Sequence, residues 1–536
     1  MDKALKMGKA SATGSFQLLI GVAASTVVMA VGTIILARLL APDDYGLYTV
    51  ALIPSTLINL FRDWGVNSAM TKYIANLRAT NRESETCGVI IAGVTFELVT
   101  GLGLSLFSFL LASFFASVLQ RPASSSFISI ISITILGGSL WAAAQSSFVG
   151  FERMELSSLT LICQSIIKTI VGPILVILGF GVLGAVVGYT LSFLAEGIIG
   201  IAILYFAVYR NLRKAREPRF ELSKTLKQML RYGVPLSISS FMAGILVQVY
   251  SFMMVSYANN SMIGNYQAAV NFTVLLTFFT IPIGTVLFPA FAKLNPKNEH
   301  ELLRAVFASS VKYAAILLVP ATMAVMALST PMVNTLFGEQ YAYAPSLLTL
   351  NVTGNLLSVV GNLSLGSFLS GLGETKMLMK MSILTLGVGV PIGFLLVPTM
   401  GIVGVIIGNI LSGVPSLIWG LHWIWKNYGV RIEFKSSTKI LAASSLAAIA
   451  SFLIVEFIHA GYLIELVGGA AVFMTTYILG APIIGAISKS DMDALRTMFS
   501  GLGFISKIVN AILAIGERAA RIRGSNENPP RPALEK

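Results

Sequence analysis

From residue 15 to residue 487 the chain is a near-continuous succession of apolar runs, each about twenty residues long, the length an α-helix needs to cross a bilayer. Few structures satisfy such a sequence. Backbone N–H and C=O groups in hydrocarbon must be hydrogen-bonded internally, so every run is expected to be a helix. The runs fall at 15–39, 46–62, 88–112, 126–150, 157–179, 182–208, 233–256, 264–290, 306–330, 345–367, 377–397, 401–424, 438–460 and 463–487. The expectation is an all-α integral membrane protein of about 14 transmembrane helices. With 55% hydrophobic and 11% charged residues, the 536 residues leave no stretch for a soluble domain.

Basic residues set the orientation. With the N-terminus inside, all but three of the 37 lysines and arginines fall on the cytoplasmic side; the exceptions are Arg38 and Arg121 outside and Lys168 within a span. The alternation holds through every loop, which places both termini in the cytoplasm. The formal net charge of +13 is thereby explained by inner-loop lysine and arginine. It implies membrane lipid as a partner, through anionic headgroups, and no nucleic acid. The basic start from Met1 to Lys9 leads into an apolar stretch too long for the hydrophobic core of a cleavable signal.

Two pieces of sequence recur. Gly181-Val182-Leu183-Gly184-Ala185-Val186-Val187-Gly188 matches Gly401-Ile402-Val403-Gly404-Val405-Ile406-Ile407-Gly408, displaced by 220 residues. Gly46-Leu47-Tyr48 with Ala51 matches Gly264-Asn265-Tyr266 with Ala269, displaced by 218. The agreement suggests duplication of a six-helix unit. An even number of spans keeps both copies in one orientation, a parallel repeat. The expected organisation is an N-lobe at 1–209, a basic cytoplasmic linker at 210–232, a C-lobe at 233–425, two further helices at 426–488 and a cytoplasmic tail at 489–536. Gly184 with Gly188, and Gly404 with Gly408, have the i, i+4 spacing that lets neighbouring helices approach closely. In the tail, Leu495, Met498, Phe499, Leu502, Ile505, Val509 and Ile512 recur at helical spacing, an amphipathic stretch for the inner membrane face. After Arg523 the composition is that of a disordered segment.

Several chemistries are missing from the sequence. No GxxxxGK[ST] loop occurs, so the chain is not itself an ATP-driven pump. Cys87 and Cys163 suggest neither a disulfide nor a metal site, and His300, His422 and His459 lie at no ligand spacing; no metal or cofactor is expected. Asp43 and Asp44, the external acidic pair, suit the capped start of span 2 better than catalysis. No catalytic residue is assigned, and the chain is not expected to be an enzyme.

The run Ala37-Arg38-Leu39-Leu40-Ala41-Pro42-Asp43-Asp44-Tyr45-Gly46-Leu47-Tyr48, followed by Asp63-Trp64-Gly65-Val66, resembles the opening signature of the polysaccharide transporter, or Wzx-type oligosaccharide flippase, family. Tyr232-Gly233-Val234-Pro235-Leu236 and Leu336-Phe337-Gly338-Glu339-Gln340-Tyr341 with Ala344-Pro345 are similar to family segments at corresponding places. The resemblance implies a MATE-like fold of two six-helix lobes. It also implies alternating access that carries a polyprenyl- or dolichyl-phosphate-linked oligosaccharide across the plasma membrane, for cell-surface polysaccharide or glycoprotein assembly. A monomer with coupling to H+ or Na+ is the expected working form. Two departures stand out. Many relatives carry an aspartate late in span 7 after a glutamine, where this chain reads Gln248-Val249-Tyr250-Ser251-Phe252; and the arginine cluster of the lipid II flippase branch is not matched in spans 1 and 2.

An ionisable residue near the bilayer centre costs roughly 2.5–3.5 kcal/mol on insertion scales unless paired or wet, so the intramembrane charges are the leads to function. Lys168 in span 5 and Glu196 in span 6 lie at similar depths and can pair. Glu97 in span 3 is a third such residue; Lys312, Lys380 and Glu456 sit near span ends and should snorkel. Lys168, with Arg38 at the outer end of span 1, is the candidate anchor for a substrate phosphate, and Glu196 and Glu97 are candidates for a coupling ion. Alternatively Lys168 and Glu196 form an ion pair that only holds two helices together. An antiporter for organic cations, the other transport reading, would need carboxylates rather than a lysine in its cavity.

Overall fold

Each expected span lies on helix in the computed structural model, which describes residues 2–80, 82–210, 212, 221–294, 299–432, 434–458, 460–499 and 504–522. The helices of the first half are α1 (Asp2–Leu39), α2 (Pro42–Asn59), α3 (Val66–Ala79), α4 (Glu83–Leu110), α5 (Ala112–Val118), α6 (Ser125–Ile131), α7 (Ile133–Gly150), α8 (Met154–Leu175), α9 (Gly181–Ile203) and α10 (Leu222–Tyr257). Those of the second are α11 (Asn260–Ala292), α12 (His300–Ala327), α13 (Ser329–Leu336), α14 (Ala344–Val352), α15 (Asn362–Gly371), α16 (Thr375–Met400), α17 (Ile402–Tyr428), α18 (Phe434–Phe457), α19 (Tyr462–Ile484), α20 (Lys489–Phe499) and α21 (Phe504–Ile522). No strand occurs among the described residues. Nine helical stretches there are long and apolar enough to span a membrane, or ten when the bent pair Ala344–Val360 and Asn362–Gly371 is taken as one span. One of the nine, Met154–Tyr209, contains two of the expected spans, so the tally is compatible with about fourteen.

Helix ends follow local chemistry. Pro42 opens α2, where its fixed φ and missing N–H cost nothing. Asp43 and Asp44 sit in the first turn but make no capping hydrogen bond, so they act through the helix dipole instead of as the expected cap. Span 10 is broken: a 3-10 segment, Thr353–Val360, ends at Gly361 with φ of 84°, and the axis turns by 56°.

Two elements differ from expectation. The loop after span 2 holds the amphipathic helix α3, which buries Val66, Ala69, Met70, Ile74 and Leu77 against α4, α7 and α10. The second half of the basic linker is helical from Leu222, eleven residues before span 7 was expected to begin; residues 211 and 213–220 of that linker lie outside the described residues. The composition after Arg523 also falls outside them.

By contacts the chain divides into two compact units, residues 1–267 with 386–409 and residues 268–385 with 410–536. In the first, α8 packs on α1 and α9, and α7 packs on α4 and α9, around a core that includes Met70, Ile74, Phe148, Leu204 and Met229. In the second, α12 packs on α18, α18 on α19, and α19 on α21, with Ile316, Val319, Ile440, Phe473 and Tyr477 between them. Phe291, Phe307 and Phe368 form a second, aromatic core in that unit.

The sequence repeat has a local structural counterpart. Gly181 and Gly401 open equivalent helices with φ of 51° and 57°, a left-handed geometry that favours glycine. Gly184 abuts the backbone of Leu175 and Val176, and Gly404 that of Leu396 and Val397, in each case the preceding helix. A side chain on Gly46 would strike the carbonyl of Asn260, and one on Gly264 would strike the carbonyl of Pro42. That contact is reciprocal between the two matched segments.

Candidate functional site

Two charges of the first unit, Arg62 just after α2 and Glu97 on α4, meet beside α7. Glu97, fully buried on α4, accepts hydrogen bonds from Arg62 Nη1 at 3.1 Å and from Asn67 Nδ2 at 2.7 Å. Arg62 Nη1 also donates to the carbonyl of Gly138 on α7 at 3.1 Å, and Ser146 Oγ donates to Asn67 Oδ1 at 3.2 Å. The small residues of α7 permit this: glycine at 138 leaves its carbonyl open to a guanidinium. Removing either partner would strand a buried charge, which is why the pair couples the end of α2 to α4.

Glu196 is 2% exposed on α9 and stands beside Gly197, whose Cα faces the Gly137 carbonyl and Leu140 across the α7–α9 crossing. One turn of α7 therefore has Arg62 on one side, at Gly138, and the helix segment of Glu196 on the other, at Gly137.

Lys168, half-buried on α8, does not form the ion pair that its depth allowed. No carboxylate lies within 4 Å of it among the described residues, and its Nζ stands 5.0 Å from the ring centroid of Tyr189. Tyr189 lies two turns before Glu196 on α9, about 10 Å along the axis, and the ammonium turns toward the ring. Tyr189 in turn meets Tyr48 edge-on at 6.1 Å and Phe193 at 4.9 Å, and Tyr48 stacks on Tyr45 at 6.0 Å. The result is a cation over an aromatic cluster, with no ion-pair partner among the described residues. Such a group can accept an anion without first giving up an ion pair.

Arg38 is exposed in the last turn of α1 and is not brought to Lys168 by any contact described. Arg121, the other external arginine, donates from Nε to Asn260 Oδ1 at 2.7 Å and from Nη2 to the Ala258 carbonyl at 2.9 Å. Tyr250, near the position where many relatives place an aspartate, is buried and donates to the Gly389 carbonyl at 2.8 Å.

Sequence reasoning missed the role of Arg62, which it grouped with the inner-loop charges. A signal was present: Arg62 closes an apolar run, and the carboxylate of Glu97 needs a counter-charge. It also missed a row of unmade hydrogen bonds. Ser55 Oγ and Asn59 Oδ1, one turn apart on α2, and Arg62 Nε in the turn that follows it are buried without a partner among the described residues, as is Trp141 Nε1 on α7. Beside that end of α2 lies a cavity of about 210 Å³, lined by Asn59, Leu60, Asp63, Ser68, Ser237 and Phe241. No group of three or more His, Cys, Asp or Glu suited to a metal occurs among the described residues.

The profile of the polysaccharide biosynthesis protein family matches residues 11–295. Among curated proteins the chain is 21% identical over 300 residues to the probable low-salt glycan biosynthesis flippase Agl15 of Haloferax volcanii, covering 54% of this chain and 61% of that protein. It is 25% identical over 408 residues to the lipopolysaccharide biosynthesis protein WzxC of Escherichia coli K12, covering 74% and 77%. Among solved structures, the inward closed conformation of the lipid II flippase MurJ superposes with a TM-score of 0.70 at 15% identity, covering 87% of this chain and 98% of that one. An inward-facing multidrug resistance MATE family transporter gives a TM-score of 0.63 at 17% identity, over 77% and 98%. The fold is therefore the MATE-like helical architecture expected from the sequence.

Proposed function

Because the chain belongs to the polysaccharide biosynthesis protein family, we propose that it is a flippase that moves a lipid-linked oligosaccharide across its membrane by alternating access, in the service of cell-surface glycan assembly. It is a transporter and not an enzyme. Kinship to proteins named as flippases and as a lipopolysaccharide biosynthesis protein supports the reading. The observation in the molecule that carries it is Lys168, a membrane-embedded ammonium held over Tyr189 with no carboxylate within 4 Å among the described residues. A polyprenyl or dolichyl phosphate offers the anion such a group lacks. An antiporter for organic cations, the alternative, would place this positive charge against its own substrate.

Lys168 anchors the phosphate on this reading, and Arg38, exposed at the end of α1, meets the headgroup at the outer face. Glu196 is the candidate for a coupling H+ or Na+; Glu97, already bound by Arg62 and Asn67, serves coupling only if that pair opens. The lobes at 1–209 and 233–425 are the moving bodies, the chain works as a monomer, and both termini face the cytoplasm of the cell that bears it in its plasma membrane. Deleting the gene tests the assignment. A lipid-linked glycan should accumulate on the cytoplasmic leaflet while the surface glycan disappears; unchanged lipid-linked pools with altered resistance to organic cations would favour the antiporter. A cysteine at Ser261 should be labelled from outside the cell, and labelling only from within would reverse the topology.

A further inference from the structure

We propose that the cavity beside the inner end of α2 is a subsite for one sugar residue of the transported glycan. The assignment rests on the flippase reading and extends it by giving the sugar named partners, distinct from those of the phosphate.

The lining has the chemistry of a carbohydrate site. A pyranose offers hydroxyl groups around its edge and C–H groups on its faces. Carboxylate and amide oxygens accept from neighbouring hydroxyls, and an aromatic ring covers a C–H face. Here Asp63 and Asn59 supply the acceptors, Ser68 and Ser237 supply hydroxyls, and Phe241 supplies the ring. The space of about 210 Å³ admits a single hexose ring.

Its acceptors are also unspent. Asn59 lines the cavity while its Oδ1 is buried with no partner, so a turn of the side-chain amide toward the cavity would let it accept from a sugar hydroxyl. Asp63 uses Oδ1 to accept from the Gly65 N–H at 2.8 Å and forms no ion pair among the described residues, which leaves Oδ2 open. Ser237 donates to the Gly233 carbonyl at 3.1 Å, so its lone pairs remain free to accept.

Charge selects the sugar over the phosphate. Arg62, in the turn that follows α2, spends its Nη1 on Glu97 and the Gly138 carbonyl. Asp63 is the charged residue of the lining, and it repels a diphosphate while attracting hydroxyl donors. The frame is rigid as well. Phe241 is held edge-on by Phe61 at 5.0 Å, and Gly65, with φ of 75°, packs so closely on Gly233 that neither position has room for a side chain.

The test uses the full-length protein in lipid nanodiscs with two kinds of probe: bare polyprenyl diphosphate, and the same lipid carrying one glucose, galactose, mannose or N-acetylglucosamine. Dissociation constants are read by native mass spectrometry. The wild type should bind at least one glycosylated probe about tenfold more tightly than the bare lipid, the effect expected of hydrogen bonds to a charged acceptor. Asn59→Leu and Asp63→Asn should each remove most of that advantage and keep the affinity for bare lipid, which also shows that they fold. Lys168→Ala should weaken both kinds of probe alike. The subsite is refuted if no glycosylated probe outbinds the bare lipid, or if both cavity variants keep the full advantage. Failure of the wild type to bind any polyprenyl diphosphate would instead overturn the flippase reading, and the subsite with it.

Discussion

The two compact units use their buried charge in different ways. Of the charged side chains described as buried, Glu97 and Glu196 lie in the first unit, which also holds Lys168, without an ion pair among the described residues. In the second unit Asp491 is the buried charge, and it is fully engaged: Lys312 Nζ lies 2.6 Å from its Oδ2, and the N–H and hydroxyl of Ser488 also donate to it. Lys312 was expected to snorkel to the membrane surface; it ties α12 to α20 because an acidic side chain is folded back within its reach. Arg496 and Glu517 at 2.9 Å then join α20 to α21, and Leu513 and Gly516 seat α21 on the neighbouring helices. The second unit's buried charge is satisfied and serves packing; the first unit holds, besides the satisfied Glu97, an ammonium at Lys168 with no ion pair among the described residues, which is available for a ligand.

That contrast can be broken by substitution. Glu97→Ala should have the largest effect on folding, on the order of 3 kcal/mol, because it strands Arg62 in a largely buried position. The double change Glu97→Ala with Arg62→Met should recover most of the lost abundance, measured by detergent-solubilised thermal unfolding. Next, Lys312→Ala should cost about 2 kcal/mol, since Asp491 keeps two hydrogen bonds from Ser488. Its signature should be a lower unfolding temperature with export per folded molecule intact. If export fell as much as abundance held, the second unit would carry transport chemistry and the contrast would fail. Smallest, Tyr189→Leu should weaken the hold on Lys168 by about 1 kcal/mol through the lost cation–π contact and should lower export only in part.

The helical spans were legible because hydrocarbon leaves the backbone no alternative to internal hydrogen bonds, and the close approaches at Gly184 and Gly404 were legible because small residues at i, i+4 have a single common use. Helix α3 was not: residues 66–79 contain Lys72 and Arg78, are too short for a span, and reveal their buried face only once α4 and α7 provide a surface. The Arg62–Glu97 pair was hidden by a separation of 35 residues in sequence. Depth alone suggested a Lys168–Glu196 pair, but depth says nothing of azimuth, and Tyr189 offered the lysine a nearer surface. The fold of α20 and α21 back onto α19 likewise depends on Lys312 and Asp491 meeting, which no periodicity encodes.

The most direct test is translocation by the purified protein in proteoliposomes loaded with a polyprenyl-diphosphate oligosaccharide carrying a fluorescent label, with dithionite quenching read from the opposite leaflet. Wild-type protein should bring the lipid-linked glycan to quenchable positions far faster than empty vesicles, Lys168→Ala should be inactive at normal abundance, and Lys168→Arg should retain part of the rate. Equal rates for wild type and Lys168→Ala would contradict the role given to the lysine, and equal rates for wild type and empty vesicles would contradict the flippase itself.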